Sequence, residues 1–287
     1  MKTIMKAIGM FFIIPFLSQA QSDEDALRYT QLSFGGTARF MGTSGAFGAL
    51  GADFSTLSFN PAGIGVYRSS EFSFSPSVTS INTDATFGGN TLQGNRAPFN
   101  ISSFGVVFSQ DLTRKDPTNK WKRFNVAFGA NRLNDFNSNT YFKGVNPDNS
   151  MIDFYVAEAN SKGGTNPNSI TNTYSFGSGL FYQTYLINPT ASDSTQYTGI
   201  VNSGNIEQSG YISQEGSNTE YLFSFGGNYD DHLMLGMTVG LPSINYNSYT
   251  TFTESDINSV YGHFESFTKT DNLNTNGLGI KAKLGLS

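Results

Sequence analysis

The chain has 287 residues, of which 26 are Phe, 14 are Tyr, 31 are Gly and only 38% are hydrophobic. Its formal net charge of −5 argues against nucleic acid as a partner, because binding to phosphates requires a basic surface. Because the chain contains no cysteine, it forms no disulfide and carries no lipid on an N-terminal cysteine. Its length suits one large β domain or two ordinary ones.

The first twenty residues, MKTIMKAIGMFFIIPFLSQA, have the pattern of a secretory signal. Lys2 and Lys6 precede an apolar run of eleven residues, and small residues follow at Ser18 and Ala20. A run of this length is too short to span a bilayer core of roughly 30 Å. We therefore predict that residues 1–20 are a signal peptide, cleaved after Ala20, and that the chain is exported.

Residues 35–65 contain eight glycines. Glycine allows positive φ and lets the backbone pack closely against a wall, so this stretch is not an ordinary strand. Within it, the Asn60 side chain can fix a turn and Pro61 stiffens the backbone, while Ala62 and Gly63 permit close packing. These residues predict a rigid corner within a conformationally flexible, glycine-rich segment. The same composition is also typical of a glycine-rich loop before a β domain.

Six later segments alternate apolar with small or polar residues at a period of two, which is typical of strands. They are 71–79, 99–109, 121–132, 220–229, 233–242 and 276–286, with weaker candidates at 206–214, 244–252 and 262–270. Asp230-Asp231 predicts a tight hairpin turn between two of them. No segment after the signal has eighteen apolar residues in a row, so a membrane span would have to be a closed barrel.

A soluble β-sandwich has the same period of two, so the alternation leaves both architectures open. Three features favour a barrel. The non-apolar positions are often Gly, Ser or Asn, which suits a lumen filled by a plug. The chain carries an export signal, and its aromatic residues, such as Trp121, cluster near the ends of the predicted strands, where interfacial belts form.

The polar region 134–205 predicts a long outward loop. Within it, 151–159 predicts a short amphipathic helix, and 174–187 is either a strand or a folded part of the loop. The aromatic residues of 151–187 either line an apolar groove or form the loop's own small core.

The sequence contains no pattern that is typical of an enzyme. His232 and His263 have no metal-ligand partner at a useful spacing, and no phosphate-binding loop, nucleophile elbow or carboxylate pair is present. We therefore predict no catalytic residue, no metal site and no cofactor. The residues that contact a ligand cannot be identified from one sequence.

The string GTARFMGTSGAFGALGADFSTLSFNPAGIGVYRSSEFSFSPS, preceded by Asp25–Tyr29, resembles the N-terminal hatch and first strand of the FadL/OMPP1/TodX family of outer-membrane transport proteins. The resemblance is especially close to the branch of the family found in Bacteroidetes. This resemblance implies an all-β fold, a transmembrane antiparallel β-barrel of 14 strands whose lumen is plugged by an N-terminal glycine-rich hatch. By motif match, Asn60, Pro61, Ala62 and Gly63 are the hatch and gating residues.

The resemblance also implies passive uptake of hydrophobic small molecules, such as long-chain fatty acids or aromatic hydrocarbons, by a monomer in the Gram-negative outer membrane. Its partners are outer-membrane lipid and the hydrophobic ligand, and a hatch shift with a lateral opening of the wall lets the ligand pass. The expected organisation is a signal peptide over 1–20, a hatch over 21–68 and barrel strands over 69–287.

About nine strands are fewer than 14, and the family's terminal aromatic residue is missing, so we expect a C-terminally truncated chain. Two alternatives stay open. One is an outer-membrane receptor or interaction barrel, either haemin-receptor-like or a component of protein secretion. The other is a soluble exported β-sandwich.

Overall fold

The structure is a computed structural model that describes residues 23–33, 35–201 and 204–287. The predicted signal peptide, residues 1–20, lies outside the described residues. The strands are β1 (Glu71–Val78), β2 (Ile81–Phe87), β3 (Asn90–Arg96), β4 (Phe99–Asp111), β5 (Trp121–Asp135), β6 (Ser138–Asn146), β7 (Ile187–Pro189), β8 (Tyr197–Gly199), β9 (Ile206–Tyr229), β10 (Leu233–Ser255), β11 (Ser266–Leu278) and β12 (Lys281–Leu286). The helices are α1 (Asp23–Thr30), α2 (Ala38–Gly42), α3 (Phe47–Leu50), α4 (Met151–Ala159), α5 (Ile170–Thr173) and α6 (Ser178–Gln183), with 3-10 helices at Phe54–Ser58, Pro61–Val66 and Ser161–Gly163.

Antiparallel sheet dominates the chain, which confirms the predicted all-β class. In the large sheet β1, β4, β5, β9 and β10 follow one another, β11 and β12 both pair with β10, and β6 pairs with β9. β5 and β6 cover successive parts of β9, while β12 and β11 cover successive parts of β10. The sheet is therefore an up-and-down meander of long strands.

The two ends of the sheet differ in the length of their connections. At one end, residues 112–120 join β4 to β5 and residues 230–232 join β9 to β10. Asp230 and Asp231 have φ values of 55° and 56°, the left-handed geometry of a tight turn, so the predicted hairpin is confirmed. At the other end, a long connection lies between β6 and β9, and its residues 147–201 contain helices of their own.

The two faces of the large sheet have opposite character. The inner face, on which the N-terminal segment packs, buries small and polar residues, among them Ser103, Asn125, Asn131, Ser224 and Thr238. The outer face exposes large apolar side chains, among them Phe72, Phe74, Phe104, Phe108, Phe124, Phe128, Phe223, Phe225, Leu241, Leu278, Leu284 and Leu286. A β-sandwich requires the reverse, because its two sheets bury apolar faces against each other.

The large sheet is open. Within the described ranges, β1 at one edge does not pair with β11 or β12 at the other. The closed barrel and its number of strands therefore stay predictions.

Strands extend into regions where the sequence shows weak alternation or none. β6 lies inside 134–205, the range predicted to be one long loop, and the weak segments 206–214 and 244–252 are continuous with β9 and β10. Beyond the apolar part of the sheet, both faces of these strands carry polar residues, so the period of two disappears. The β2–β3 hairpin, which turns at Gly88-Gly89, escapes prediction for the same reason.

Residues 147–201 form a compact helical body, which we call the cap. The predicted helix over 151–159 is confirmed as α4, which begins with a capping box formed by Ser150 and Asp153. The segment 174–187 contains α6 and ends at the first residue of β7, so it is a folded part of the loop. The cap shares a hydrophobic core with Ile206 and Phe264 of the adjoining parts of the chain, and its own contribution includes Ile152, Tyr155, Ala159, Ile170, Tyr174, Phe181 and Tyr182.

Glu254 of β10 fixes the cap to the sheet. Its buried carboxylate accepts hydrogen bonds from Ser150 Oγ (2.5 Å), Met151 N (2.7 Å) and Gln208 Nε2 (2.6 Å). We expect Glu254→Ala to loosen the cap, because each buried donor that loses its acceptor costs roughly 1–3 kcal/mol.

Limited proteolysis checks this expectation. Cleavage within 147–205 should accelerate about tenfold or more in Glu254→Ala, which corresponds to a loss of at least about 1.4 kcal/mol in local stability. The control is Glu265→Ala, which removes an exposed glutamate near the same end of the sheet. Equal cleavage rates in the two variants would contradict the anchoring role of Glu254.

Candidate functional site: the hatch and its seat

The predicted hatch, residues 21–68, is described from residue 23 and packs on the inner face of the sheet. It consists of α1 to α3 and the 3-10 helices Phe54–Ser58 and Pro61–Val66, and the two 3-10 helices contact β4, β5, β9, β10 and β12. Inside it, the buried carboxylate of Asp53 accepts hydrogen bonds from Thr37 Oγ1 (2.6 Å) and Arg39 Nε (3.1 Å). The segment is therefore a folded body held together by its own contacts.

Asn60 forms a corner in this body. Its Oδ1 accepts a hydrogen bond from Ala62 N (3.1 Å) and so caps the 3-10 helix that begins at Pro61. Its Nδ2 donates to the Gly48 carbonyl (3.0 Å) and ties the corner to the glycine-rich segment before it. Pro61 occupies the first position of this helix. A backbone N–H at that position has no partner within the helix, so proline loses no hydrogen bond there. Together with the buried Gly63, the four predicted residues form one compact corner.

The corner rests on a row of three glycines, which we call the glycine seat. Gly236 of β10 pairs with Gly226 of β9 on one side and with Gly285 of β12 on the other. A Cβ at position 236 would lie 2.0 Å from the Pro61 carbonyl oxygen, and one at position 285 would lie 2.4 Å from Ala62 N. Because these neighbours are backbone atoms, only glycine permits so close an approach.

The ring of Phe54 packs against a separate pair of glycines in the sheet. Gly105 of β4 pairs with Gly129 of β5, and a Cβ at either position would lie less than 3 Å from the Phe54 ring. The apolar contact continues around the ring through Leu57, Ile64 and Tyr67 of the hatch and Val107, Ala127 and Leu222 of the sheet. Each large side chain buried there contributes roughly 1.5–3 kcal/mol. Burial raises the pKa of the Tyr67 phenol well above its usual range, so the ring stays neutral.

Two asparagines of β5 bind the hatch by hydrogen bonds. Asn125 Nδ2 donates to the Ile64 carbonyl (2.6 Å), and Asn131 Nδ2 donates to Ser58 Oγ (2.8 Å). Asn131 Oδ1 in turn accepts from Ser103 Oγ (2.7 Å). Both asparagines are buried, so the inner face offers the hatch specific polar contacts as well as a shape that fits it.

An ion pair beside the glycine seat also contacts the hatch. Lys283 Nζ of β12 donates to the Ser58 carbonyl (2.7 Å) and to Glu220 Oε1 of β9 (2.7 Å). Glu220 is fully buried, and its Oε2 has no partner within the part of the chain that the structure describes. The pair spans β10 at Gly240, where a Cβ would lie 2.5 Å from Glu220 Oε1. We call this arrangement the Lys283 latch.

The outer face carries an apolar groove directly behind the glycine seat. The groove has a volume of about 840 Å³, and its wall includes the three seat glycines. Its apolar lining is provided by Phe124, Phe225, Leu235, Met237, Leu284 and Leu286, with Trp121 beside them. Only the backbone of the sheet therefore separates this groove from the Asn60 corner.

The sequence predicts that Asn60, Pro61, Ala62 and Gly63 form one corner, but it does not identify the residues of the sheet that contact this corner. The seat glycines, the two asparagines of β5 and the Lys283 latch are missed as individual residues. Their common signal is that they occupy the small or polar positions of the alternating segments. These residues come close together only through strand pairing between segments that are far apart in the chain.

No group of His, Asp or Glu side chains among the described residues is arranged to hold a metal ion. None of the helices in that part of the chain is long and apolar enough to cross a bilayer. In comparisons with known proteins, no family model, no curated protein and no solved structure matches this chain.

Proposed function

We propose that the chain forms the wall and hatch of an outer-membrane β-barrel of the FadL/OMPP1/TodX type, which admits hydrophobic small molecules passively. The main support for this proposal is that the polarity of the sheet is reversed relative to a soluble β protein. Its outer face is apolar and exposed, and its inner face is polar and occupied by a folded segment. A lipid bilayer is the solvent that suits such an outer face.

The height of the apolar belt supports a membrane location. In β4, outward apolar side chains run from Phe99 to Phe108. These are about nine residue steps, or roughly 30 Å along the strand, and at a tilt of about 40° they span roughly 23 Å. Outer-membrane barrels have apolar belts about 25 Å tall.

The seat and the groove support hydrophobic substrates. A channel for apolar molecules must stay closed to water, and the hatch against the glycine seat provides such a block. The groove behind the seat offers an apolar surface of about 840 Å³ next to the corner that would have to move. Long-chain fatty acids or aromatic hydrocarbons are ligands of this class.

A receptor or interaction barrel is the second candidate, and the cap favours it. Phe154, Phe176 and Tyr185 are exposed on the cap by 66%, 90% and 75%. Exposed aromatic side chains on a surface that faces outward are common in protein interfaces.

The transport proposal is tested by uptake of a fluorescent fatty acid into liposomes that contain the full chain. We expect uptake faster than into empty liposomes. In Asn60→Ala uptake should slow about fivefold, because loss of a cap costs roughly 1 kcal/mol and the corner no longer moves with the Gly48 segment as one body.

The control is Asn168→Ala, which removes an exposed asparagine of the cap and should leave uptake unchanged. All rates are compared at equal amounts of inserted protein. Uptake equal to that of empty liposomes would end the transport proposal and leave the receptor. Equal rates for wild type and Asn60→Ala would remove the gating role of the corner only.

A further inference from the structure

The outer face changes character beyond the apolar belt. In β10 the outward positions change from apolar residues, ending at Leu241, to Asn245, Asn247 and Tyr249. The neighbouring strand β11 brings Asn276, Asn274 and Asn272 opposite these three residues. The amides bond across the strands: Asn245 Nδ2 donates to Asn276 Oδ1 (2.9 Å), and Asn274 Nδ2 donates to Asn247 Oδ1. The result is an exposed ladder of side-chain amides.

A row of tyrosines crosses the strands beside this ladder. The rings of Tyr141 and Tyr211 are stacked, with centroids 4.7 Å apart, and Tyr249 follows 6.5 Å from Tyr211. Tyr141 and Tyr249 are 39% and 43% exposed. A groove of about 380 Å³ lies next to the row and is lined by Ser213, Glu215, Asn247, Tyr249, Asn272 and Asn274. We call the tyrosine row and the amide ladder together the platform.

The chemistry of the platform suits a neutral sugar. Aromatic rings present flat apolar faces that can cover the C–H face of a sugar ring, and asparagine amides both donate to and accept from hydroxyl groups. The charged side chains beside the platform are paired, Arg96 with Glu215 (2.5 Å) and Lys143 with Glu207 (2.9 Å). This pairing favours uncharged sugar over phosphate.

The position of the platform indicates where the sugar comes from. Asn245 and Tyr249 lie about four and eight residue steps beyond Leu241, or roughly 10 Å and 20 Å beyond the belt at a tilt of about 40°. The headgroup layer of an ordinary phospholipid is only about 5–8 Å deep. The platform also lies toward the end of the sheet with the long connections, which faces outward in barrels of this kind.

We propose that the platform binds the oligosaccharide of an outer-leaflet glycolipid whose acyl chains lie against the apolar belt. This inference rests on the proposed outer-membrane location. It adds a lipid-recognition site on the outer face, separate from the hatch and from the groove behind the seat.

The test uses the purified full chain in detergent and native mass spectrometry. Three probes are titrated: lipopolysaccharide that carries core sugars, its core-free lipid anchor, which keeps only the acylated glucosamine disaccharide, and the free core oligosaccharide. We expect the intact glycolipid to bind about tenfold more tightly than the core-free anchor. The free oligosaccharide should bind weakly, because it lacks the contact with the belt.

The variant is the double substitution Tyr211→Ala and Tyr249→Ala, which should reduce the preference for the intact glycolipid to less than about twofold. The matched control is Tyr185→Ala, an exposed tyrosine of the cap, which should keep the preference. If the double variant does not fold, Asn247→Ala with Asn274→Ala on the exposed ladder replaces it.

Equal binding of the intact glycolipid and the core-free anchor to the wild-type chain would overturn the proposal without any variant. A preference that survives the platform substitutions would also overturn it. Liposome uptake is measured separately on the same preparation. A chain that transports but shows no sugar preference loses only this inference, whereas a chain that does not enter bilayers loses the proposed function as well.

Discussion

Gly236→Ala is expected to lift the Asn60 corner off the sheet and to let ions pass the hatch. The added Cβ would lie 2.0 Å from the Pro61 carbonyl oxygen and 2.4 Å from the Pro61 carbonyl carbon. Neither atom can rotate away, so the corner or the strand must shift by about an ångström. Overpacking of this kind costs roughly 1–3 kcal/mol. The clash exists only while the hatch is in contact with the sheet, so the substitution destabilises this seated state relative to the displaced one.

The measurement is ion conductance of the full chain in planar bilayers. A loss of about 2 kcal/mol raises the unseated fraction roughly thirtyfold, so the conductance averaged over time should increase clearly. Gly285→Ala should act in the same way from the neighbouring strand, because its Cβ would lie 2.4 Å from Ala62 N.

The matched control for these variants is Gly277→Ala. Gly277 also belongs to a strand of the sheet, but the nearest atom to an added Cβ is 3.7 Å away, in the Ile244 side chain. It should insert normally and keep the conductance of the wild type. If Gly236→Ala and Gly277→Ala conduct equally, the glycine seat does not hold the hatch closed.

Alternation predicts the part of the fold that lies inside the apolar belt. The β9–β10 hairpin is the clearest case, since Phe225 pairs with Met237 and Phe223 with Val239 on one face. Leu222 breaks the apolar and polar alternation of β9, and the structure gives the reason. It points inward and packs in the core that includes Phe54. An apolar residue at an inward position is therefore a signal of the hatch and not an irregularity.

Two parts of the molecule could not be predicted, for different reasons. The short strand β6 and the polar halves of the long strands β9 and β10 carry no clear period because water or polar groups face both sides. The seat could not be predicted because Gly226, Gly236 and Gly285 are unremarkable until the register aligns them. Register is a property of the whole sheet and depends on pairing between segments distant in sequence.

Lys283→Met is expected to destabilise the chain and to release the hatch. The substitution leaves the fully buried Glu220 carboxylate without its cation and removes a donor to the Ser58 carbonyl. Breaking one side of a buried ion pair costs roughly 3–5 kcal/mol. The Lys283 side chain is 23% exposed, so water offsets part of the loss and we expect the lower end of that range.

The double variant Glu220→Gln with Lys283→Met separates the two effects. It removes the uncompensated charge, so the free energy of unfolding should recover by about 1 kcal/mol or more relative to Lys283→Met alone. The contact between Lys283 and Ser58 stays absent, so the leak through the hatch should persist. Thermal unfolding in detergent and bilayer conductance measure the two quantities on the same samples.

The control is Lys281→Met, two residues away on β12, because Lys281 forms no ion pair within the described ranges of the chain. It should unfold and conduct like the wild type. A leak in Lys283→Met that disappears in the double variant would mean that the unpaired charge disturbs the sheet and that the latch does not hold the hatch. If the double variant recovers stability but still leaks, the hydrogen bond between Lys283 and the Ser58 carbonyl is what keeps the hatch closed.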